Sequence, residues 1–167
     1  MTREEQKNQI RCWLSGMECG GLTADDVAQD LDKMILSGIE DLPDWVIEAA
    51  WNSTREEALK KTLKEALWEL GQDPQKPISL DIFCTVIKWI REKWESGKVS
   101  WETSLARILE LVRQYDDYTR NDYLWSWYCL YFQWEDASEF GDEGAKTKIK
   151  EDFVKLIYSD SLEEGKA

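Results

Sequence analysis

The sequence predicts an all-α protein, and three observations carry that prediction. Apolar residues recur at spacings of three and four, the period of a helix with one buried face. Hydroxyl and carboxylate residues stand where helices would begin, and glycines where they would end. No stretch alternates apolar and polar residues over a useful length, so no strand is expected.

The elements follow in order. Thr2 and Glu5 form a capping box before a helix whose inward face is Ile10, Trp13, Leu14 and Met17. Gly20-Gly21 ends it, and Thr23 with Asp26 opens a second helix carrying Val27, Leu31, Met34 and Ile35. Pro43 suits the first turn of a short third helix with Trp45, Val46, Ala49 and Ala50. Thr54 with Glu57 is expected to cap a fourth, with Leu59, Leu63, Ala66, Leu67 and Leu70 inward and Gly71 as its stop. Gly71 to Pro77, with Pro74 and Pro77, is the clearest loop. Ser79 then caps a fifth helix with Ile82, Phe83, Val86, Ile87, Ile90 and Trp94, ended by Gly97. Ser100 starts a sixth, with Trp101, Leu105, Ile108, Leu109 and Val112 inward. Thr119 with Asp122 is expected to cap a seventh, carrying Tyr123, Leu124, Trp127, Tyr128, Tyr131 and Trp134. A last helix with Ile149, Phe153, Leu156 and Ile157 follows Gly141 and Gly144.

The expected architecture is one compact domain over 1–167, of about seven to eight helices. Its halves would be 1–71 and 78–158, with 159–167 a polar tail. Those halves echo each other at an offset of 77 residues: Ile10 and Ile87, Gly20 and Gly97, Thr23 and Ser100, Leu31 and Ile108. Two stacked helical hairpins would give this pattern, and so would chance likeness between amphipathic hairpins.

Composition narrows the function. The 167 residues include 10 Trp and no His, and 34 acids against 21 bases leave a net charge of −13. A phosphate backbone needs clustered Lys and Arg to displace its counterions, so nucleic acid is not an expected partner. The same field repels an anionic membrane surface, and it draws basic proteins in. It also simply keeps a Trp-rich chain in solution. The polar start, Met1 to Gln6, lacks the apolar stretch of a signal peptide, and the most apolar run, Tyr123 to Trp134, is too short to span a bilayer. The expectation is therefore a cytoplasmic protein. Cys12, Cys19, Cys84 and Cys129 form no CxxC pair and lie among apolar residues, which predicts buried free thiols.

Catalytic machinery is not apparent. Without His, Ser-His and Cys-His pairs are excluded, and so are Glu-x-x-His di-iron sites. No Gly-rich phosphate loop occurs, and the acidic runs do not follow the calcium-loop spacing. Neither catalytic residue, metal nor cofactor is expected; paired carboxylates remain the one enzymatic option, and no pair stands out.

The informative stretch runs from Tyr115 to Glu143. It holds Asp116, Asp117, Asp122, Glu135, Asp136, Glu139, Asp142 and Glu143 against the single base Arg120, a charge of −7. Aromatic residues are interleaved with them. Leu124, Trp127, Tyr128, Tyr131 and Trp134 fit a core face, whereas Trp125 and Phe132 fall on another side. That side is either a second buried contact or an exposed aromatic stripe, and burial of most of these rings is the expectation. Aromatic rings flanked by charge are the material of interface hot spots. The candidate partner-binding residues are thus Asp116, Asp117, Tyr118, Asp122, Trp125, Phe132, Glu135, Asp136, Glu139, Asp142 and Glu143. A smaller acidic group, Glu40, Asp41, Asp44 and Glu48, surrounds Trp45.

A small, acidic, Trp-rich helical chain of this kind resembles the immunity proteins of bacterial toxin systems, including contact-dependent inhibition. Gly20-Gly21-Leu22-Thr23-Ala24-Asp25-Asp26-Val27, leading to Pro43-Asp44-Trp45, carries the likeness over about the first 50 residues. The resemblance implies a protein that binds a cognate toxin and covers its active or substrate-binding surface, the partner being basic where it is a nuclease. Two other classes stay open: a phage-type inhibitor or nucleic-acid mimic, with acids at phosphate-like intervals, and a helical-repeat scaffold. A homo-oligomer through an exposed aromatic stripe is also open.

Overall fold

A computed structural model describes residues 1–159 of the chain. It contains eight α-helices among those residues and no strand: α1 Arg3–Glu18, α2 Ala24–Leu36, α3 Asp44–Asn52, α4 Glu56–Glu69, α5 Leu80–Glu95, α6 Trp101–Val112, α7 Asp122–Glu139 and α8 Glu143–Ile157. A single 3-10 turn, Tyr118–Arg120, precedes α7. The all-α prediction holds. Of the expected polar tail, residues 160–167 lie outside the described residues.

Contacts divide the chain into two units, Met1–Ile78 and a second from Ser79 onward. In the first, α1 packs on α4, α2 on α3, and α3 on α4. Thr2 and Thr23 make the capping boxes expected of them, and each hydroxyl accepts the backbone N–H of the third helical residue. The Thr54 cap does not form. The turn that closes α3 runs on through Arg55, whose N–H donates to Asn52 O, so α4 starts one residue later than expected, at Glu56, with no side-chain cap. Pro43 stands one place before the first helical residue of α3 rather than within its first turn.

The first helix is buried more completely than its apolar pattern requires. Every residue from Ile10 to Met17 is buried, Arg11 and Ser15 included. Gly16 permits close approach of the following chain, since a Cβ there would stand 2.7 Å from Leu22 Cδ1. Arg11 donates to the backbone carbonyls of Pro74 and Lys76 and so ties the 71–78 loop to α1. Burial lowers the pKa of its guanidinium, and nearby Asp73 acts in the opposite direction. Arg3 makes a second tie, its Nε donating to Leu70 O at 3.0 Å, at the end of α4. There Gly71 adopts φ +88°, the left-handed geometry that closes a helix and favours glycine.

The second unit is organised around Phe153 of α8. Its ring is fully buried against Trp94 of α5 (5.2 Å between centroids), Trp127 of α7 (5.7 Å) and Trp101 of α6 (5.8 Å). Leu105, Ile108, Leu111 and Val112 of α6 complete the core with Phe83, Val86 and Leu124. Ser79 and Ser100 cap α5 and α6 as expected. Thr119 does not cap α7, because its hydroxyl donates to Asp117 (2.6 Å) while Tyr118–Arg120 turns as a 3-10 helix. Asn121 takes over, its Oδ1 accepting Leu124 N–H at 3.1 Å. Asp142 caps α8 and leaves Gly144 inside the first turn.

The helices α1 and α5 begin and end 77 residues apart, and α2 and α6 begin at the same offset. Tertiary packing follows that echo in part: α2, α3 and α4 pack in succession as α6, α7 and α8 do, whereas α1 packs on α4 and α5 on α6. Arg3, at the start of α1, holds the end of α4, whereas Arg91, near the end of α5, reaches Ile157 O at the end of α8.

Two substitutions test these anchors. Phe153→Ala removes the ring shared by three tryptophans and is expected to cost about 3–5 kcal/mol in urea unfolding. Arg11→Leu should cost about 2 kcal/mol through loss of its charged hydrogen bonds. It should also speed amide exchange across 71–78. Unchanged exchange there would show that the loop is held by other contacts.

Candidate functional site

The rotation of α7 decides which of its rings meet solvent. Leu124, Trp127, Leu130 and Ala137 are its buried residues. The opposite side carries Trp125, Tyr128, Phe132, Glu135 and Glu139, spaced three, four, three and four apart, which makes one continuous line along the helix. Trp125 is 40% exposed, and Tyr128 and Phe132 are half-buried. The expectation that most rings of this helix are buried is therefore corrected. Trp127 alone of its aromatic residues is fully buried, and Tyr123, Tyr131 and Trp134 are half-buried. Tyr128, expected to face inward with Trp127, lies instead in the surface line.

These rings touch one another. Trp125 stacks on Tyr128 at 5.0 Å with 12° between planes, and Tyr118 stacks on Tyr128 at 5.1 Å and 29°. Phe132 follows at 4.8 Å from Tyr128, and Tyr131 meets Phe132 edge-on at 5.4 Å. Three of the sequence-selected residues, Tyr118, Trp125 and Phe132, thus belong to one run whose centre, Tyr128, sequence reasoning missed. The signal was its spacing: Tyr128 is three residues from Trp125 and four from Phe132.

The carboxylates fall into two groups. Asp116, Asp117 and Asp122 lie at the start of α7, and Glu135 and Glu139 continue the aromatic line at its end; all five are exposed. Asp117 has φ +49° and is held by its ion pair with Arg120 at 2.8 Å. Asp116, Asp122, Glu135, Asp136 and Glu139 make no ion pair among the described residues. Asp136 and Asp142 point the second group elsewhere, since they line a groove of about 390 Å³ between α7 and α8 that also holds Phe140, 81% exposed. Glu143 pairs locally with Lys146 at 3.2 Å. Trp125 also borders a second hollow, of about 420 Å³, further along the same two helices. The stripe and the groove are therefore adjoining parts of one surface.

The smaller acidic group is rearranged in the same way. Trp45 is buried, edge-on to Trp13 at 6.2 Å, and its indole N–H donates to Gln6. The large apolar side chains exposed near Asp44 and Glu48 on α3 are Ile47 and Trp51 (82% exposed). Of the cysteines, Cys12 and Cys19 are buried as expected, whereas Cys84 and Cys129 are only half-buried. Among the described residues, no group of three or more His, Cys, Asp or Glu is placed to hold a metal ion. No helix there is long and apolar enough to cross a membrane.

The chain matches no family model, no curated protein and no solved structure.

Tyr128→Ala should leave the fold intact, at a cost of about 1 kcal/mol for the lost ring contacts. With 5-fluorotryptophan, the 19F resonance of Trp125 should move toward that of the exposed Trp51. A resonance that stays in place would mean that the stack does not hold Trp125.

Proposed function

We propose that this chain is a cytoplasmic, non-enzymatic protein-binding module that captures a basic protein through the stacked aromatic face of α7 and its flanking carboxylates. The observation that carries the reading is the conjunction of Tyr118, Trp125, Tyr128 and Phe132 in one half-exposed stack with unpaired acids at both ends. Apolar rings on a surface cost free energy in water, and burial against a partner recovers about 25 cal/mol per Å². Carboxylates around them speed encounter with a basic surface and penalise an acidic one. Tightness would come from the rings and selectivity from the acids.

The class of module we favour is an immunity protein, neutralising a bacterial toxin by covering its active or substrate-binding surface. Support comes from the acidic, Trp-rich helical composition and from a face whose charge suits the basic cleft of a nuclease. A nucleic-acid mimic would carry carboxylates at regular intervals without rings, and here they adjoin rings. The helical-repeat scaffold is less favoured because the two units differ in how their first and last helices meet. Neither nucleic acid nor a membrane is among the partners proposed.

A tagged chain recovered from its own host at low salt is expected to bring down one basic protein in equal stoichiometry, and co-expression should relieve that protein's toxicity. Asp116, Glu135 and Glu139 replaced together by Lys should weaken capture and flatten its salt dependence. The fold should survive, because lysine near the end of α7 suits the helix dipole. Trp125→Ala should weaken capture at every salt concentration, by tenfold or more on the scale of a hot spot. Recovery of the chain alone, or equally with an assortment of host proteins, would favour self-association or the scaffold.

A further inference from the structure

We propose that the groove between α7 and α8 is a receptor for one arginine side chain of a protein partner. The inference rests on the protein-binding reading and names the chemistry that the reading would use beside the aromatic stripe. The floor of the groove is apolar, formed by the buried Ala137 and Ile149, and Phe140, four-fifths exposed, also lines it. Three carboxylates surround that floor: Asp136 from α7, Asp142 at the junction, and Asp152 from α8. Neither Asp136 nor Asp152 makes an ion pair or hydrogen bond through its carboxylate among the described residues. One oxygen of Asp142 accepts Ala145 N–H at 3.0 Å as the helix cap, which leaves the other without a partner.

The groove holds one cation of its own, Lys148, against those three carboxylates. Its local charge is thus −2, so an added cation is attracted even with Lys148 in place. A bare metal ion does not suit the site, because most of the wall is apolar. A side chain with a methylene stem and a charged head does suit it. The stem would lie on Ala137 and Ile149 while the head meets the carboxylates. Arginine fits better than lysine on two grounds. Its planar guanidinium stacks on an aromatic face such as Phe140, and its five donors span several carboxylate oxygens at once. The location supports the same partner as the stripe, since Trp125 and Gln133 carry the surface from the groove to the stacked rings.

The test uses the full chain and three small probes, N-acetyl-arginine methylamide and its lysine and citrulline counterparts, followed by amide NMR at constant ionic strength. The arginine probe is expected to shift the amides of Gly141, Asp142, Ala145 and Ile149 saturably. The lysine probe should bind several-fold more weakly, and neutral citrulline should leave the spectrum unmoved. Asp136→Asn with Asp152→Asn should reduce arginine affinity at least tenfold, and these two positions have no structural partner to lose. Phe140→Ala should bring arginine down to the level of lysine. Equal shifts from all three probes, equal binding of lysine and arginine, or shifts scattered over every acidic surface would each overturn the assignment. The two readings fail separately. If the groove ignores arginine while Trp125→Ala still abolishes partner capture, only this inference falls. If arginine binds while capture is indifferent to Trp125 and to the charge reversals, the groove stands and the proposed docking face does not.

Discussion

Phe153 lies against Trp94, Trp101 and Trp127, one tryptophan from each of the other three helices of its unit, and the surface chemistry of α7 depends on that contact. A helix has one inward face. The run from Tyr123 to Trp134 contains more aromatic surface than one face can hide, so some rings must remain outside whichever way the helix turns. The edge-on contact of Trp127 with Phe153 selects the rotation. With Trp127 inward, Leu124 and Leu130 follow it by helical spacing, and Trp125, Tyr128 and Phe132 are carried to the opposite side. The buried indole N–H of Trp127 has no hydrogen-bond partner among the described residues. Leaving such a donor unsatisfied costs on the order of 1 kcal/mol or more, which indicates that ring packing, not polar satisfaction, sets this position.

Local chemistry was legible in the sequence; the choice among competing faces was not. The caps at Thr2, Thr23, Ser79 and Ser100 were readable because a cap is a contact across three residues. Thr54 and Thr119 misled because each stands before a tight turn that consumes one or two further residues, and the helix then starts at a residue with a less distinctive side chain or with none that caps. The apolar positions of α5 and α6 gave single stripes and reached the core apart from the half-buried Trp94 and Trp101, whereas in α2 Val27 and Leu31 are buried and Met34 and Ile35 only half-buried. In α7 the same counting admitted Tyr128 to either face, since it lies next to Trp127 in sequence and completes the line from Trp125 to Phe132. Only a contact with α8, more than twenty residues on, resolves that ambiguity, and no local pattern encodes it.

The acids were visible as composition and became informative only once placed. A net charge of −13 distributed evenly would act mainly on solubility. Here Glu135 and Glu139 extend the line of the rings, while Asp136, one position along, turns into the groove beside Asp142 and Asp152. Adjacent residues of one helix thus serve two neighbouring surfaces, as a 100° step between successive side chains requires. Asp117 shows how such placement is held. Its left-handed backbone is uncommon outside glycine, and its carboxylate is fixed by both Arg120 and Thr119.

The stacking within the stripe bears on what it could contribute to binding. A lone exposed tryptophan gives up rotamer freedom when a partner orders it, and that loss offsets part of the area gained. Trp125 is already confined between water and the face of Tyr128, which is itself confined by Tyr118 and Phe132. The ordering has therefore been done by folding, as part of the same packing that seats Trp127 on Phe153. Each ring keeps part of its surface open, so the stack presents a broad apolar face while losing little entropy when it is covered. Trp51 and Trp68 of the first unit are more exposed and touch no other ring among the described residues, so their exposure alone is a weaker indication of a docking surface. Preorganisation, more than exposed area, is what sets the α7 face apart.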